Sequence, residues 1–357
     1  MLIFMEGNVI DFSLYLWYTK QKEISERMIG MKYQTHECIT KLETPVMTPH
    51  TTSAPGVALT FNAGVAKWKG RYVMMFRNDY GDYENEIIRP GVTDLRVAYS
   101  DDGIHWEPQP DPVMEELKNE DIIRAYDPRI TVIEEKAYVC FAVDSQHGVR
   151  GGIAVTEDFE HFEVLSLSVP DNRNMVLFPE KINGNFVRLE RPMPVDGRGW
   201  LTPGMDVWMS ESPDLVFWGK SKLVLGTENV PFANSKIGPA APPIKTEKGW
   251  LTLFHAVEVD PTLGKNGWEP KWQKIYSTGI MLLDLNDPSK VIGMYDKPLI
   301  YPENHWETKE GFRQNVLFPG GMVLEPNGEV KMYYGASDTF ECLATANVND
   351  LLALVTK

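Results

Sequence analysis

The stretch FNAGVAKWKGRYVMMFRND, residues 61–79, reads as a polar lead-in, an apolar strand, a glycine-marked turn and a second strand ending in polar residues. The same unit returns four times: YDPRITVIEEKAYVCFAVD (126–144), RNMVLFPEKINGNFVRLERP (173–192), KIGPAAPPIKTEKGWLTLFHAV (236–257) and QNVLFPGGMVLEPNGEVKMYYGASD (314–338). Each hairpin leads to a third strand and a recurrent turn: LRVAYSDDGIHWEPQ, GGIAVTEDFEHFEVL, DVWMSESPDLVFWGKS, STGIMLLDLNDPSKVIG and, more weakly, CLATANVNDLLALV. A Ser/Thr–x–Asp turn before an aromatic residue suits a tight hairpin into a fourth, outer strand. Five such units predict an all-β chain, a five-bladed β-propeller around a central channel. A β-sandwich also has many short strands, but it does not repeat one hairpin and one turn five times.

The propeller is expected to span residues 46–357. Residues 1–45 are set outside the repeat as an N-terminal extension, helical from Asp11 to Met31 with Leu14, Trp17, Tyr18 and Ile24 toward one face. Either a cap on the propeller or a contact between copies of the chain fits it, so a homo-oligomer stays open. The stretch PTLGKNGWEPKWQKIY (261–276) is long for a blade turn and is expected to reach over the mouth of the channel.

The composition is that of a soluble globular protein, 43% hydrophobic and 24% charged. A net charge of −15 opposes nucleic acid and anionic membranes as partners, but not a small anion held by local cations. Cys38, Cys140 and Cys342 show no CxxC spacing and read as free thiols in a reducing compartment. Glu6 and Asp11 interrupt the apolar start, and no apolar run reaches the roughly 20 residues of a membrane span. The cytoplasm is the expected location. The 10 Trp, 14 Tyr and 15 Phe serve core packing, a sugar-binding cleft, or both.

In a propeller the innermost strands run along the axis, so their lead-ins converge. These carry Asn62, Asp127, Arg173 with Asn174, Lys236 and Asn315; the ends of the second strands add Arg77, Asp79, Asp144, Arg191, His255 and Asp338. Arg173, Arg191, Lys236 and His255 come from neighbouring units and form a cation group, costly in an acidic chain unless an anion neutralises it. Arginine forks and a lysine point charge suit phosphate. Asp79, Asp127 and Asp338 suit the paired hydrogen bonding of a sugar. A cation pocket beside a sugar pocket is what phosphorolysis needs. No phosphate-binding glycine loop, GxSxG elbow or HExxH motif occurs. His147, in a glycine-rich loop, is expected to serve as a hydrogen-bonding loop residue rather than a substrate contact.

The segments FNAG, FRND, AYDPR, NRNMVLFPEKING, the Arg-Pro at 191, KIG, LFHAV and YYGASD, in this order over about residues 45–357, resemble the glycoside hydrolase family 130 mannoside phosphorylases. The resemblance implies inverting phosphorolysis of β-mannosides to α-mannose 1-phosphate, without metal or organic cofactor and with inorganic phosphate as co-substrate. It implies Asp127 as the single catalytic acid, acting through the 3-hydroxyl of the bound mannose. Arg173, Arg191, Lys236 and His255 would hold phosphate. Asn62, Arg77, Asp79 and Asp338 would grip the mannose, with Asn174 beside them, and Tyr126 would border the acceptor subsite. Ala63 departs from members with a hydroxyl there. The FPEK segment points toward β-1,4-mannooligosaccharide or mannosyl-N-acetylglucosamine substrates, with loops 80–94, 109–124 and 258–275 selecting the acceptor. Two alternatives remain: a β-mannoside hydrolase, with Glu180 or Asp144 as a second carboxylate, and a non-catalytic sugar-binding propeller.

Overall fold

The computed structural model describes residues 2–5, 8–11, 33–118, 121–193, 204–264, 266–269 and 271–356. The chain divides into two compact units, Met1–Tyr33 and Gln34–Lys357. In the first, strands Leu2–Met5 and Asn8–Asp11 form an antiparallel hairpin. The helix expected from Asp11 to Met31 lies outside the described residues, except Asp11, which ends the second of these strands.

The second unit is the five-bladed propeller. Blade 1 comprises Val57–Trp68, Arg71–Asp82, Ile87–Ser100 and Glu107–Pro108. Blade 2 comprises Ile122–Ile133, Lys136–Ser145, Gly148–Thr156 and Glu163–Leu167. Blade 3 comprises Asn172–Leu177, Phe186–Pro192, Val207–Ser212 and Gly219–Leu225. Blade 4 runs Lys236–Pro239, Trp250–Val259, Lys274–Leu283 and Val291–Met294, with Ile244–Lys245 also pairing on its second strand. Every blade is antiparallel, and the first strands of blades 1 and 2, 2 and 3, and 5 and 1 pack on one another around the axis.

Blade 5 departs from the expected unit. Its first three strands are Leu317–Leu324, Glu329–Ala336 and Phe340–Asn347, but the outermost strand is Thr40–Lys41, paired antiparallel with Ala344 and Thr345. Residues 40–41, read from sequence as part of the extension, thus join the last blade and close the ring. The chain after Phe340–Asn347 turns into the helix Val348–Val355, whose Leu351, Leu352, Leu354 and Val355 are buried.

Each blade lies between two others, so its inner strands are apolar on both faces. Val-Met-Met-Phe at 73–76 shows this with period 2. Val73 and Met75 join Val139 and Phe141 of blade 2, whereas Met74 and Phe76 join Val323 and Tyr333 of blade 5. The recurrent turn is the same device in blades 1 to 4. Oδ1 of Asp102, Asp158, Asp214 and Asp284 each accepts two backbone N–H bonds at 2.7–2.9 Å, from the residues two and three positions on. In the first three, the hydroxyl of Ser100, Thr156 or Ser212 accepts a further one.

The ring closure is braced by a buried charge. Lys41 Nζ lies 2.8 Å from Glu307 Oε2 and donates to Tyr301 O at 2.7 Å, and Tyr334 Oη donates to Glu307 Oε1 at 2.8 Å. Glu307, on the short helix His305–Thr308, is fully buried. Removing one partner of a buried pair strands the other charge, at a cost of about 3–5 kcal/mol. Lys41→Met is expected to lower unfolding stability by about 3 kcal/mol in a denaturant titration. A loss under about 1 kcal/mol, the range of an exposed pair, would contradict this role for the closure.

Candidate active site

The lead-ins are aimed by backbone conformation. Asn62, Asp127 and Asn174 have left-handed φ of 57°, 53° and 58°, and strand register breaks between Phe61 and Gly64, Tyr126 and Arg129, and Arg173 and Val176. Asn315, just before the inner strand of blade 5, repeats the conformation at φ 61°. Asn and Asp tolerate this region better than other non-glycine residues, and a bulge re-aims a side chain out of the pleat. The repeat thus turns a polar residue toward one end of the channel in several blades, with Lys236 arriving directly at the start of its strand.

There the structure forms a cavity of about 520 Å³, within the roughly 300–1,000 Å³ of ligand pockets. Of the sequence-predicted residues, Asn62, Arg77, Asp79, Tyr126, Asp127, Asp144, Arg173, Asn174, Arg191, Lys236 and Asp338 line it. His255 does not. Its ring is fully buried behind the wall, with Nε2 2.8 Å from Arg191 Nη1, so it backs a lining residue. Burial, with Arg191 and Lys236 close by, pushes its pKa far down. The neutral ring therefore accepts a hydrogen bond from Arg191.

The acidic side is internally braced. Arg77 holds Asp79 through two bonds, Nε to Oδ1 at 2.8 Å and Nη2 to Oδ2 at 2.6 Å. Burial raises the Asp79 pKa, but Arg77 and Thr93 outweigh it and hold the carboxylate low. Asp144 accepts from Tyr126 Oη and Arg124 Nε, each at 2.7 Å. Asp338 accepts from Arg313 Nη1 at 3.2 Å, while burial raises its pKa. Asp127 is held more lightly. Its Oδ1 accepts from Asn62 Nδ2 at 3.0 Å and lies 3.4 Å from Arg77 Nη1.

Among the described residues no carboxylate braces the basic side. Arg173 reaches Tyr126 Oη only at 3.5 Å, and Lys236 lies over the Tyr276 ring at 5.2 Å. Buried Nε of Arg173, Nε and Nη2 of Arg191 and Nδ1 of His255 have no hydrogen-bond partner among the described residues. Burial, then Arg191 and Arg173, pushes the Lys236 pKa down to about 6; burial, then Arg173, lowers that of Arg191 to about 9. Unpaired buried donors and mutually repelling cations define a place for an anion.

Sequence reasoning missed Arg313, Arg124 and Tyr276 in the wall. Arg124 and Arg313 stand three and two residues before the lead-ins Asp127 and Asn315, so no common spacing flags them. Of the loops expected to select the acceptor, Ile88, Arg89, Pro90 and Gly91 of the first and Arg124 of the second line the cavity. No described residue of 258–275 does. Of the stretch expected over the mouth, 261–276, the last residue Tyr276 lines the cavity while two tryptophans back the wall: Trp268 meets Phe312 and Tyr83, and Trp272 stacks on Tyr276 at 5.9 Å beneath Arg313. Asn315 turns to Asn266 Oδ1 at 2.8 Å, and His147 stays a loop residue, bonded through its backbone to Ser145. Glu180 lies outside the cavity, exposed and paired with Lys245 at 2.6 Å.

A five-bladed propeller whose axial cavity sets a carboxylate group beside an unpaired cation group has the architecture of a carbohydrate-processing enzyme. The sequence model of the family described as beta-1,4-mannooligosaccharide phosphorylase matches residues 19–357, and the chain belongs to that family, glycoside hydrolase family 130. It is thereby a glycoside phosphorylase, and the match extends N-terminally beyond the segments that carried the resemblance. A beta-1,4-mannooligosaccharide phosphorylase of Ruminococcus albus is 32% identical over 306 residues, 83% of this chain and 84% of that one. A beta-1,2-mannobiose phosphorylase of Listeria innocua is 31% identical over 259 residues, 72% of this chain and 67% of that one. The solved structure of beta-1,2-mannobiose phosphorylase from Listeria innocua, in complex with beta-1,2-mannobiose, superposes with a TM-score of 0.75 at 25% identity, covering 89% of this chain and 99% of that one.

Proposed function

We propose that this enzyme cleaves β-1,4-linked mannooligosaccharides, or mannosyl-N-acetylglucosamine, by inverting phosphorolysis to α-mannose 1-phosphate and a shortened acceptor. The observation that carries the reading is the set of buried Arg173 and Arg191 donors without a hydrogen-bond partner among the described residues, lining one cavity with Lys236 and Asp127. Phosphate held there attacks the anomeric carbon as the glycosidic C–O bond breaks. Asp127 supplies the proton that the leaving oxygen needs, relayed through the 3-hydroxyl of the mannose. Asn62, Arg77, Asp79 and Asp338 grip that mannose, with Asn174 at the boundary of the two subsites, and Tyr126 borders the acceptor.

Phosphate is already a nucleophile, so one carboxylate suffices, whereas an inverting hydrolase needs a second to activate water. Asp144 is poorly placed for that work, because Tyr126 and Arg124 engage both its oxygens. His255 contributes by holding the Arg191 guanidinium. The β-1,4 linkage is supported by the family description and the Ruminococcus albus relative; the Listeria innocua relative is named for the β-1,2 linkage. The three free thiols suit the cytoplasm. No step requires a metal.

Proton NMR of the first turnovers on β-1,4-mannobiose and β-1,2-mannobiose with phosphate tests this directly. The α-anomer of mannose 1-phosphate, formed faster from the β-1,4 substrate, is expected. A β-phosphate would overturn inversion, and faster cleavage of the β-1,2 isomer would overturn the linkage.

A further inference from the structure

Asn62 aims its amide at Asp127 from a left-handed turn, and two buried side chains, Glu341 and Arg129, grip the backbone of that turn. Ala63 N donates to Glu341 Oε2 at 3.0 Å, and Arg129 Nη1 donates to Asn62 O at 3.0 Å. Neither Glu341 nor Arg129 lines the cavity, and both are buried. Arg129 spends its other donors on carbonyls of Ala240, Pro128 and Pro319, tying four blades together at the axis. Among the described residues no ion pair within 4.0 Å joins Glu341 to Arg129, and Glu341 Oε1 has no hydrogen-bond partner. The opposite side of the turn is closed by Gly335, where a Cβ would lie 2.4 Å from Asn62 Oδ1 and 2.8 Å from Asn62 N.

Burial outweighs the Ala63 and Asn62 backbone N–H groups and Arg129 and pushes the Glu341 pKa up to about 8, and a buried carboxyl group with one oxygen unengaged is a costly way to hold one turn. Such costs are tolerated where a strained backbone must be held for function. We propose that Glu341 is a positioning residue: it clamps the Asn62–Ala63 turn so that the Asn62 amide fixes Asp127 in its working orientation. The inference rests on Asp127 being the acid of the proposed reaction. Phosphate is bound elsewhere in the cavity, so loss of the clamp should touch turnover and leave phosphate binding alone.

The test is a set of steady-state measurements on Glu341→Asp, Glu341→Gln, Asn62→Ala, the Asn62→Ala/Glu341→Asp double variant and Asp127→Asn, each checked for folding by its melting curve. Glu341→Asp keeps the buried carboxylate but shortens its reach. It is expected to lower kcat about tenfold with KM for phosphate within about twofold of wild type, the scale of one lost hydrogen bond. Glu341→Gln keeps an oxygen for Ala63 N and should restore most of kcat. If Glu341 acts through Asn62, the double variant should be no slower than Asn62→Ala alone. Full turnover in Glu341→Asp, equal losses in the Asp and Gln variants, or multiplied losses in the double variant would each overturn the proposal. An inactive Asp127→Asn beside a fully active Glu341→Asp would sink this inference alone. A fully active Asp127→Asn would sink the reading of the acid on which it rests.

Discussion

Asp127→Asn should lose at least about 10²-fold in kcat, the low end of what general acid catalysis contributes. The substitution is nearly isosteric, and an asparagine oxygen can still accept from Asn62 Nδ2, now 3.0 Å from the carboxylate. The left-handed backbone at this position is one that asparagine also tolerates. What disappears is the dissociable proton. The other carboxylates of the cavity cannot replace it easily: Asp79 is locked by two bonds from Arg77, Asp144 by Tyr126 and Arg124, and Asp338 by Arg313. Both KM values should stay near wild type, because the sugar and phosphate contacts remain. A fully active variant would remove Asp127 from the mechanism.

Lys236→Ala should raise the KM for phosphate by roughly 10- to 10²-fold, the scale of a hydrogen bond to a charged group of about 1.5–3 kcal/mol. The KM for the sugar should move far less. Lys236 makes no ion pair among the described residues, and burial, then the facing Arg191 and Arg173, pushes its pKa down to about 6. Above that pH the amine is mostly neutral. A phosphate anion beside it favours the ammonium form, so the bound-state pKa rises and binding draws in a proton. Calorimetry in buffers of different ionisation enthalpy, at about pH 8, should therefore show greater proton uptake for wild type than for Lys236→Met. Equal changes in both KM values, or equal uptake by the two proteins, would mean that the anion pocket is wrongly assigned.

The propeller was legible because its unit repeats: the apolar hairpin and the Asp-centred turn recur, and side-chain hydrogen bonds of that turn recur with them. Ring closure was not legible. Thr40 and Lys41 carry no strand pattern of their own, and their pairing with Ala344 and Thr345 joins opposite ends of the sequence. The converging polar residues were legible for the same reason as the blades, since equivalent repeat positions meet at the axis. The depth of each residue was not. His255 shares a strand-end pattern with Arg191, yet its ring lies behind the arginine, because only close packing decides which of two adjacent blade ends faces the cavity. Arg313 and Tyr276 sit just outside the repeated motif and enter the wall through tertiary contacts with Asp338 and Trp272. Glu341 gave no signal at all, as its partner is a backbone N–H far away in sequence.

The most direct test of phosphorolysis is product analysis of β-1,4-mannobiose cleavage with and without inorganic phosphate. Mannose 1-phosphate is expected to form only when phosphate is present, and turnover to stop when it is removed. Free mannose released at the same rate without phosphate would contradict it, and the unpaired cations Arg173, Arg191 and Lys236 would then need another anion.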